Sequence, residues 1–327
     1  MEANLYPTTN GSIARLTKSW ESRRMSRRMR CVEAIILLAV ALPGNATAQE
    51  QSALPPGSFL EVDGAKLYYE ECGSAPQTVV LVHDGVLDSA VWDDVWPEFC
   101  RHFHTVRYDR RGYGRSSAGT QRYYATDDLS AILHHLQLKR VAIVGSSHGG
   151  EISINFTLDH PEMVEELVLV GAVVGGMPYT KHFLERGDAL GKPLEKGDMK
   201  GAIAAAAKDK YLTAPGSEAA RKRMADILLA NPQDLTHPDL ELPVKPALPR
   251  LGEIRIPTLL LVGDADIPDV HAHAGALEAG IPKARLVIIN DVGHLMYLEK
   301  PAEFSRNVVE FLENSHGICL SLLTDPL

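Results

Sequence analysis

The sequence feature that most constrains the fold is a short motif between a strand-like segment and a helix-like segment. Gly145-Ser146-Ser147-His148-Gly149 directly follows the apolar residues 141–144 and directly precedes the helical pattern of residues 151–158. In this context a Gly-x-Ser-x-Gly motif forms a sharp turn from strand to helix that exposes the central hydroxyl. The helix that follows directs its free N–H groups and its positive dipole end at negative charge that develops there. The motif therefore predicts that Ser147 is a nucleophile, rather than one serine in an ordinary glycine-rich turn.

Strand-like and helix-like segments alternate along most of the chain. Short apolar segments predict strands at residues 78–82, 105–108, 140–144, 166–170, 258–262 and 285–289. Apolar residues at helical spacing predict helices over 127–136 and 270–279, and a last helix starts near Pro301. Residues 59–62 and 66–71, on either side of Asp63-Gly64, predict an opening hairpin. This alternation predicts an α/β fold with a mostly parallel central sheet and helices on both faces.

The pattern changes between residues 173 and 251, where helical segments such as 199–210 and 218–229 replace the strands. We therefore expect a helical lid, inserted after the sixth strand, that divides the core into residues 57–172 and 252–314. Residues 49–56 are expected to form a linker and residues 315–327 a C-terminal tail. The 327 residues could form two domains of roughly 150 residues each, and one large α/β domain is equally admissible.

The first 48 residues have the order of a secretory signal peptide. A basic run that ends at Arg30 precedes the apolar residues 34–42, and Ala46-Thr47-Ala48 supplies a small-x-small cleavage site. We therefore predict export to the periplasm or the exterior, with an uncleaved membrane anchor or a cytoplasmic protein as the alternatives.

Cleavage at that site would remove Cys31 and change the cysteine count. The mature chain would keep Cys72, Cys100 and Cys319, an odd number that does not describe a disulfide framework. A bond between Cys72 and Cys100 is conceivable in an oxidising compartment, and the sequence leaves it open.

Charge and composition argue against several kinds of partner. The formal net charge is −9, from 42 acidic and 33 basic residues, whereas nucleic acid requires a basic surface. No stretch after the N-terminal segment approaches the ~20 apolar residues that cross a bilayer. No Cys-x-x-Cys pair or Cys/His cluster resembles a zinc site. His271 and His273 are two residues apart, so on a helix they would face different ways.

A serine nucleophile needs a base, and the base needs an acid to orient it. Among the thirteen histidines, His294 follows Gly293 in the loop between the last predicted strand and the last helix. That loop belongs to the carboxyl edge of the sheet, as does Ser147. Asp266 follows residues 258–262 at the same edge and is the favoured acid, with Asp264 and Asp269 as its competitors. The resulting order along the chain is Ser, Asp, His.

These residues resemble the catalytic triad of the α/β-hydrolase superfamily, in its lidded single-chain branch. Leu81-Val82-His83-Asp84-Gly85 is similar to the family's His-Gly-x turn, and residues 108–116 (Tyr-Asp-Arg-Arg-Gly-Tyr-Gly-Arg-Ser) to its Asp-x-Arg-Gly-x-Gly-x-Ser segment. Leu298-Glu299-Lys300-Pro301 fits the family's entry to the last helix, so the resemblance covers most of residues 57–312. It implies a serine hydrolase with the triad Ser147, Asp266 and His294.

The resemblance also implies an oxyanion hole made from two backbone N–H groups. His148 would supply one, and Gly85 would supply the other, with Val86 as the alternative. Asp84 stands where the family usually has glycine, so its carboxylate would either repel the oxyanion or turn away and cap the turn. His83 and the basic residues Arg110 and Arg111 are expected to be structural.

The leading functional hypothesis is hydrolysis of a small carboxylic ester or lactone through an acyl-enzyme, without metal, flavin or nucleotide. One alternative is C–C bond hydrolysis of a diketone-type compound. Another alternative is a proline-releasing aminopeptidase. Such an enzyme would need an acidic cluster in the lid to hold the free amine of its substrate, and Glu185, Asp188 and Glu195 are scattered candidates. A catalytically silent ligand-binding protein is the hypothesis from another class. Five lid residues could line an apolar acyl pocket, but we expect them to serve the lid's own packing, because aromatic residues are commonly buried: Met177, Tyr179, Phe183, Tyr211 and Leu212. The substrate-binding residues are therefore not predicted.

Overall fold

The central element of the protein is a sheet of eight strands in the order β1-β2-β4-β3-β5-β6-β7-β8. The computed structural model describes residues 57–238 and 240–324. The strands are β1 (Ser58–Val62), β2 (Ala65–Cys72), β3 (Thr78–Val82), β4 (His104–Tyr108), β5 (Val141–Ser146), β6 (Val164–Val170), β7 (Thr258–Gly263) and β8 (Ala284–Ile289). Strands β3 to β8 pair in parallel, and β2 joins them antiparallel to β4.

The opening hairpin forms where the sequence predicts it. Asp63 and Gly64 connect β1 and β2, with φ of 42° and 77°. Two-residue hairpin turns with positive φ at both positions match the twist of the strands that they join. The Asp-Gly pair therefore sets the register of this first strand pair.

Helices cover both faces of the sheet. They are α1 (Trp96–His102), α2 (Ala125–His135), α3 (His148–Asp159), α4 (Lys181–Glu195), α5 (Met199–Lys208), α6 (Glu218–Ala230), α7 (Pro268–Gly280), α8 (Met296–Glu299) and α9 (Pro301–Thr324). Every residue of β3, β5 and β7 is buried, because the helices exclude water from both faces of these strands. This confirms the predicted fold: an α/β-hydrolase fold with a mostly parallel sheet and helices α4, α5 and α6 inserted between β6 and β7.

Two helices differ from the sequence-based expectation. The sequence did not identify α4, whose residues are mostly exposed and include two glycines and a proline in the helix interior. Helix α9 continues to Thr324, past Ser315 where a tail was expected to begin. The apolar periodicity that predicted its start lies on its first turns, and these pack on the core through Phe304 and Val308.

Cys72 at the end of β2 and Cys100 in α1 form a disulfide bond, with a Cα–Cα distance of 5.3 Å. This settles a pairing that the sequence left open. The predicted signal peptide, residues 1–48, and the linker lie outside the described residues. Within the described part of the chain, no helix is long and apolar enough to span a membrane.

Candidate active site

Ser147 lies in the turn between β5 and α3, with φ of 51° and ψ of −116°. A left-handed backbone at a non-glycine residue costs about 1–3 kcal/mol and is tolerated where the surrounding structure enforces it. The Ser147 N–H donates to the Val170 carbonyl on the neighbouring strand at 2.8 Å. A Cβ atom at Gly149 would overlap the carbonyl oxygen of His83, and one at Gly145 would overlap that of Gly149. Both glycines of the motif are therefore a steric requirement of this turn.

His294 and Asp266 meet at the carboxyl edge of the sheet, in the loops after β8 and β7. Nδ1 of His294 lies 2.8 Å from Oδ2 of Asp266, and the other carboxylate oxygen accepts the Ile267 N–H at 2.7 Å. Burial lowers the pKa of His294, but the charge and hydrogen bond of Asp266 outweigh it, so the pKa lies above its ordinary value. Because Nδ1 is held by the carboxylate, Nε2 is the ring nitrogen left for proton transfer.

Asp264 and Asp269, the other two candidates for the acid, form hydrogen bonds elsewhere. Asp264 accepts the Val292 N–H at 3.3 Å. Asp269 accepts both the N–H and the hydroxyl of Thr180, at 2.7 and 2.8 Å, and so fixes the start of α4. Of the three candidate acids, Asp266 is the one that contacts His294 within the described residues.

The loop that carries His294 is clamped between the core and the lid. A Cβ atom at Gly171, which has φ of 53°, would lie 3.0 Å from the His294 ring. On the other side, the His294 N–H donates to the Tyr211 carbonyl at 2.8 Å, and the Leu295 N–H to Leu212 at 3.0 Å. The position of the histidine therefore depends on the lid segment as well as on the sheet.

The turn after β3 lies directly beside the Ser147 turn. A Cβ atom at Gly85 would be 3.3 Å from Cβ of His148. The Val86 N–H is already taken, because it donates to Oδ1 of Asp84 at 2.7 Å. Within the described residues, no hydrogen bond engages the N–H of Gly85 or of His148. The N–H groups of Gly85 and His148 are therefore available to bind a ligand oxygen beside the Ser147 turn, whereas the N–H of Val86 is not.

Asp84 caps this turn with a carboxylate that is itself buried. Oδ1 accepts the N–H groups of Val86 and Leu87, and Oδ2 accepts the Tyr297 hydroxyl at 3.0 Å. Three donors therefore offset the charge that replaces the usual glycine. The carboxylate still lies at the cavity wall, where it helps to raise the pKa of His294.

His83 is a structural member of the turn. Its Nδ1 lies 2.8 Å from the Asp84 carbonyl oxygen, and its Nε2 accepts the Arg110 N–H at 2.9 Å. Burial, together with the nearby guanidinium of Arg110, holds the pKa of His83 well below its ordinary value, so the ring is neutral. A neutral ring that accepts at Nε2 must carry its proton on Nδ1, where it donates to Asp84.

Ser147, His294, Asp266 and Asp84 line one cavity of about 230 Å³. Its other walls are mostly apolar and come largely from the lid: Val86, Leu87, Val173, Phe183, Gly187, Leu190, Leu194, Ala202, Ala206, Leu212, Met224, Leu235, Ile267, Val270 and Leu295. The expectation that the five apolar lid residues serve only the lid's own packing is therefore wrong for Phe183 and Leu212. It was drawn from average burial, which does not distinguish a packed interior from a pocket wall.

Sequence reasoning missed two charged residues at the site. Arg186 lines the cavity from α4, and its Nε donates to Asp209 at 2.6 Å. Glu241 lies in the last part of the lid segment, after α6, and is 3.1 Å from Nε2 of His148. No local pattern could have indicated either residue, because each acts through contacts that are distant in the sequence. In the part of the chain that the structure describes, no group of three or more His, Cys, Asp or Glu side chains is arranged to hold a metal ion.

Known proteins are similar to this chain in sequence. The model of the alpha/beta hydrolase family matches residues 79–307. A 2-hydroxy-6-oxononadienedioate/2-hydroxy-6-oxononatrienedioate hydrolase from Cupriavidus pinatubonensis is 29% identical over 275 residues, which cover 76% of this chain and 91% of that protein.

Two solved structures agree with this assignment. A structure described as an N-acyl homoserine lactone degrading enzyme has a TM-score of 0.65 and 29% identity, and the match covers 78% of this chain and 100% of that one. An esterase from Exiguobacterium antarcticum has a TM-score of 0.69 and 25% identity, with 79% and 99% covered. With its sheet, its turn after β5 and its family match in agreement, this chain belongs to the alpha/beta hydrolase family and is a hydrolase.

Proposed function

We propose that this protein hydrolyses a small, uncharged carboxylic ester or lactone through an acyl-enzyme. The observation that carries the proposal is the cavity, which Ser147 and His294 line together and whose other lining residues are apolar except for Asp84, Asp266 and Arg186. Apolar walls with a few convergent polar groups are typical of sites for small molecules. At about 230 Å³ the cavity is smaller than the roughly 300–1,000 Å³ of drug-sized sites, which favours a compact substrate.

In the first half-reaction the Ser147 hydroxyl gives its proton to Nε2 of His294 while Oγ bonds to the substrate carbonyl carbon. The carbonyl oxygen becomes an oxyanion, which the N–H groups of His148 and Gly85 stabilise, and Asp266 stabilises the imidazolium. The carbon–oxygen bond of the ester then breaks, and His294 returns the proton to the departing alkoxide. Water repeats the same steps on the acyl-enzyme and releases the acid.

The second candidate is cleavage of a C–C bond in a charged diketone-type compound. It is favoured by the Cupriavidus pinatubonensis relative, which is named for a dioate, and by Arg186 in the cavity wall. Two carboxylates on a substrate would need cationic partners. Arg186 is the one guanidinium or ammonium group among the described residues that line the cavity, and it is already paired with Asp209. Two buried aspartates share that cavity, so the charge balance favours the neutral substrate.

The aminopeptidase hypothesis finds no support in the lid. Glu185, Asp188 and Glu195 are exposed on α4 and do not line the cavity. A silent binding protein is disfavoured because Asp84, the residue that could have blocked the oxyanion position, caps its own turn.

The test is hydrolysis of p-nitrophenyl esters from acetate to octanoate, and of aryl lactones, by the chain that begins at Gln49. Replacing Ser147 with alanine should lower kcat by about 10⁶-fold, as happens when a serine hydrolase loses its nucleophile. A 2-hydroxy-6-oxo dienoate is assayed beside the esters, with the wild type and with Arg186→Met. If the wild type turned over only the dienoate, and Arg186→Met lost that activity, C–C cleavage would replace the ester proposal. Ester turnover that survives in Ser147→Ala would exclude the acyl-enzyme.

We also propose that the protein is exported and that its signal is removed after Ala48. The Cys72–Cys100 bond supports this, because disulfides persist in oxidising compartments and are rare in the cytosol. Expression of the full chain in a bacterial host should yield a periplasmic or secreted protein whose mass begins at Gln49. An intact N-terminus in the cytoplasmic fraction, with both thiols free, contradicts this proposal.

A further inference from the structure

An ion-pair network lies against the Ser147 turn, on the side of the His148 ring. Both carboxylate oxygens of Glu241 lie 3.1 Å from Nε2 of His148, and Nη2 of Arg110 donates to the same carboxylate at 3.1 Å. Glu151, from the next turn of α3, lies 3.2 Å from the other ring nitrogen of His148. Carboxylates at both ring nitrogens require a proton on each, so the His148 ring is an imidazolium.

The charges of His148 and Glu241 persist over a wide pH range. Burial disfavours the charged form of both partners, but mutual attraction outweighs it and raises the pKa of His148 to about 9. It likewise lowers the pKa of Glu241 to about 2, with help from Arg110. The Arg110 side chain is buried, so its hydrogen bonds depend on protein acceptors; both terminal nitrogens have one, and Nε has none among the described residues.

One of those acceptors is the carbonyl oxygen of Asp84, which Nη1 of Arg110 reaches at 2.9 Å. That oxygen also contacts Nδ1 of His83 at 2.8 Å. The Asp84 carbonyl and the Gly85 N–H belong to one planar trans peptide, in which they point in opposite directions. Two donors that hold the oxygen therefore fix the direction of the Gly85 N–H. They also polarise the peptide, which makes that N–H a stronger donor.

The network thus connects both N–H groups of the proposed oxyanion hole. Arg110 binds the carbonyl oxygen of the peptide whose N–H belongs to Gly85. Glu241 binds the ring of His148, and the backbone of His148 supplies the second N–H. Glu241 comes from the part of the lid segment that follows α6, where Tyr123 fixes it: the Tyr123 N–H donates to the Leu240 carbonyl at 3.2 Å, and the Leu242 N–H donates to the Tyr123 carbonyl at 2.7 Å. The carboxylate therefore reaches the site from a separate, anchored piece of backbone.

We propose that Glu241 is a positioning residue for the oxyanion hole, which it aligns by joining His148 to Arg110. This rests on the proposed serine mechanism. An oxyanion hole stabilises the transition state more than the bound ester, so its misalignment lowers kcat and leaves KM almost unchanged. A role limited to stability would lower the amount of folded protein and leave kcat per folded molecule intact.

The first experiment compares Glu241→Gln with Glu253→Gln, the same change in an exposed ion pair with Arg250 that is remote from the cavity. With p-nitrophenyl butyrate, Glu241→Gln should lower kcat about 10- to 100-fold, less than the ~10²–10³-fold of a donor removed outright. KM should stay the same, and the inhibition constant of butylboronic acid, whose tetrahedral adduct fills the oxyanion hole, should rise with the fall in kcat. Circular dichroism measures the folded fraction of each variant.

The second experiment is a double-mutant cycle between Glu241→Gln and His148→Leu, which keeps the backbone N–H. Members of one network give strongly non-additive losses, so the double variant should be no slower than the slower single variant. Additive losses, a Glu241→Gln enzyme as fast as Glu253→Gln, or an unchanged boronate constant would each overturn the proposal. These outcomes leave the serine mechanism standing, whereas activity that survives in Ser147→Ala removes the mechanism itself.

Discussion

The sheet edge and the lid hold their functional residues in different ways. Strands β3, β5 and β7 are buried along their whole length, and glycines that admit no side chain fix the turn that follows β5. Helix α4 of the lid has one buried residue, Gly191, and meets the cavity through partly exposed side chains. Reaction chemistry needs reacting groups in a narrow geometry, which rigid elements supply, whereas an apolar wall needs mainly the correct volume. If the proposed mechanism is correct, the sheet edge determines the rate and the lid determines which acyl group enters.

The two regions are nevertheless coupled at the histidine loop. The backbone of Tyr211 and Leu212 accepts the N–H groups of His294 and Leu295, and Glu299 accepts the N–H groups of both Gly293 and Ala214. A lid substitution that displaces residues 211–214 would therefore affect the base, whereas one in the middle of α5 would not.

The largest expected effect belongs to the sheet edge. Asp266→Asn should lower kcat by about 10⁴-fold, because the amide no longer holds His294 in the correct tautomer or stabilises its charge. Asp266 raises the pKa of His294, and the ring acts as a base only when it is neutral. The rise of wild-type kcat/KM on the acidic side of its pH profile should therefore have its midpoint above the ordinary pKa of histidine. Loss of the carboxylate should move the limb to lower pH. Profiles of kcat/KM against pH measure both effects, and an unmoved limb would assign it to another group.

Removal of the Cys72–Cys100 disulfide tests how much the stability of the core depends on it. The bond closes a loop across a sequence separation of 28, for which chain-entropy arguments give about 3.6 kcal/mol. The double variant Cys72→Ser/Cys100→Ser should lose about that much free energy of unfolding in urea and keep its ester activity, because neither residue lines the cavity. A large fall in kcat without a loss of stability would show that this side of the sheet influences the site.

A substitution in the lid should change selectivity rather than rate. Ala206 in α5 lines the cavity, so Ala206→Leu should reduce octanoate turnover relative to acetate by at least about 10-fold, the usual effect of a methylene-sized clash. Ala204→Leu, exposed on the same helix, is the matched control and should leave the ratio unchanged. Equal losses on acetate and octanoate would mean that the lid acts on the chemistry.

The smallest effect is expected at a lid glycine. A Cβ atom at Gly187, inside α4, would meet no atom within 4 Å, so Gly187→Ala should stabilise the protein by about 0.5–1 kcal/mol through better helix propensity. At the sheet edge, Gly149→Ala should instead strongly destabilise the protein, because its Cβ atom would overlap the carbonyl oxygens of Val82 and His83. Thermal unfolding of the two variants compares the regions directly. A destabilised Gly187→Ala would show that α4 packs more tightly than its exposure indicates.

Much of the fold was predictable because its signals are local. Apolar strands, helical spacing and the Asp63-Gly64 turn each depend on a few adjacent residues, so periodicity was sufficient to predict the sheet. Helix α4 escaped prediction because a largely exposed helix lacks an apolar stripe, and it contains Gly187, Gly191 and Pro193. The first turns of α9 were predicted from apolar spacing, whereas its continuation to Thr324 was not.

The sequence by itself determined the motif around Ser147, the family resemblance and the order of Ser147, Asp266 and His294 along the chain. These follow from short segments, because strand-to-helix turns and loops after strands are local structures. Only the tertiary structure decided which aspartate meets His294, how Asp84 distributes its charge, and that Glu241 joins His148 to Arg110 across 93 and 131 residues of chain. Such contacts depend on how distant segments pack in three dimensions, and a side chain carries no local record of the partner that it will meet.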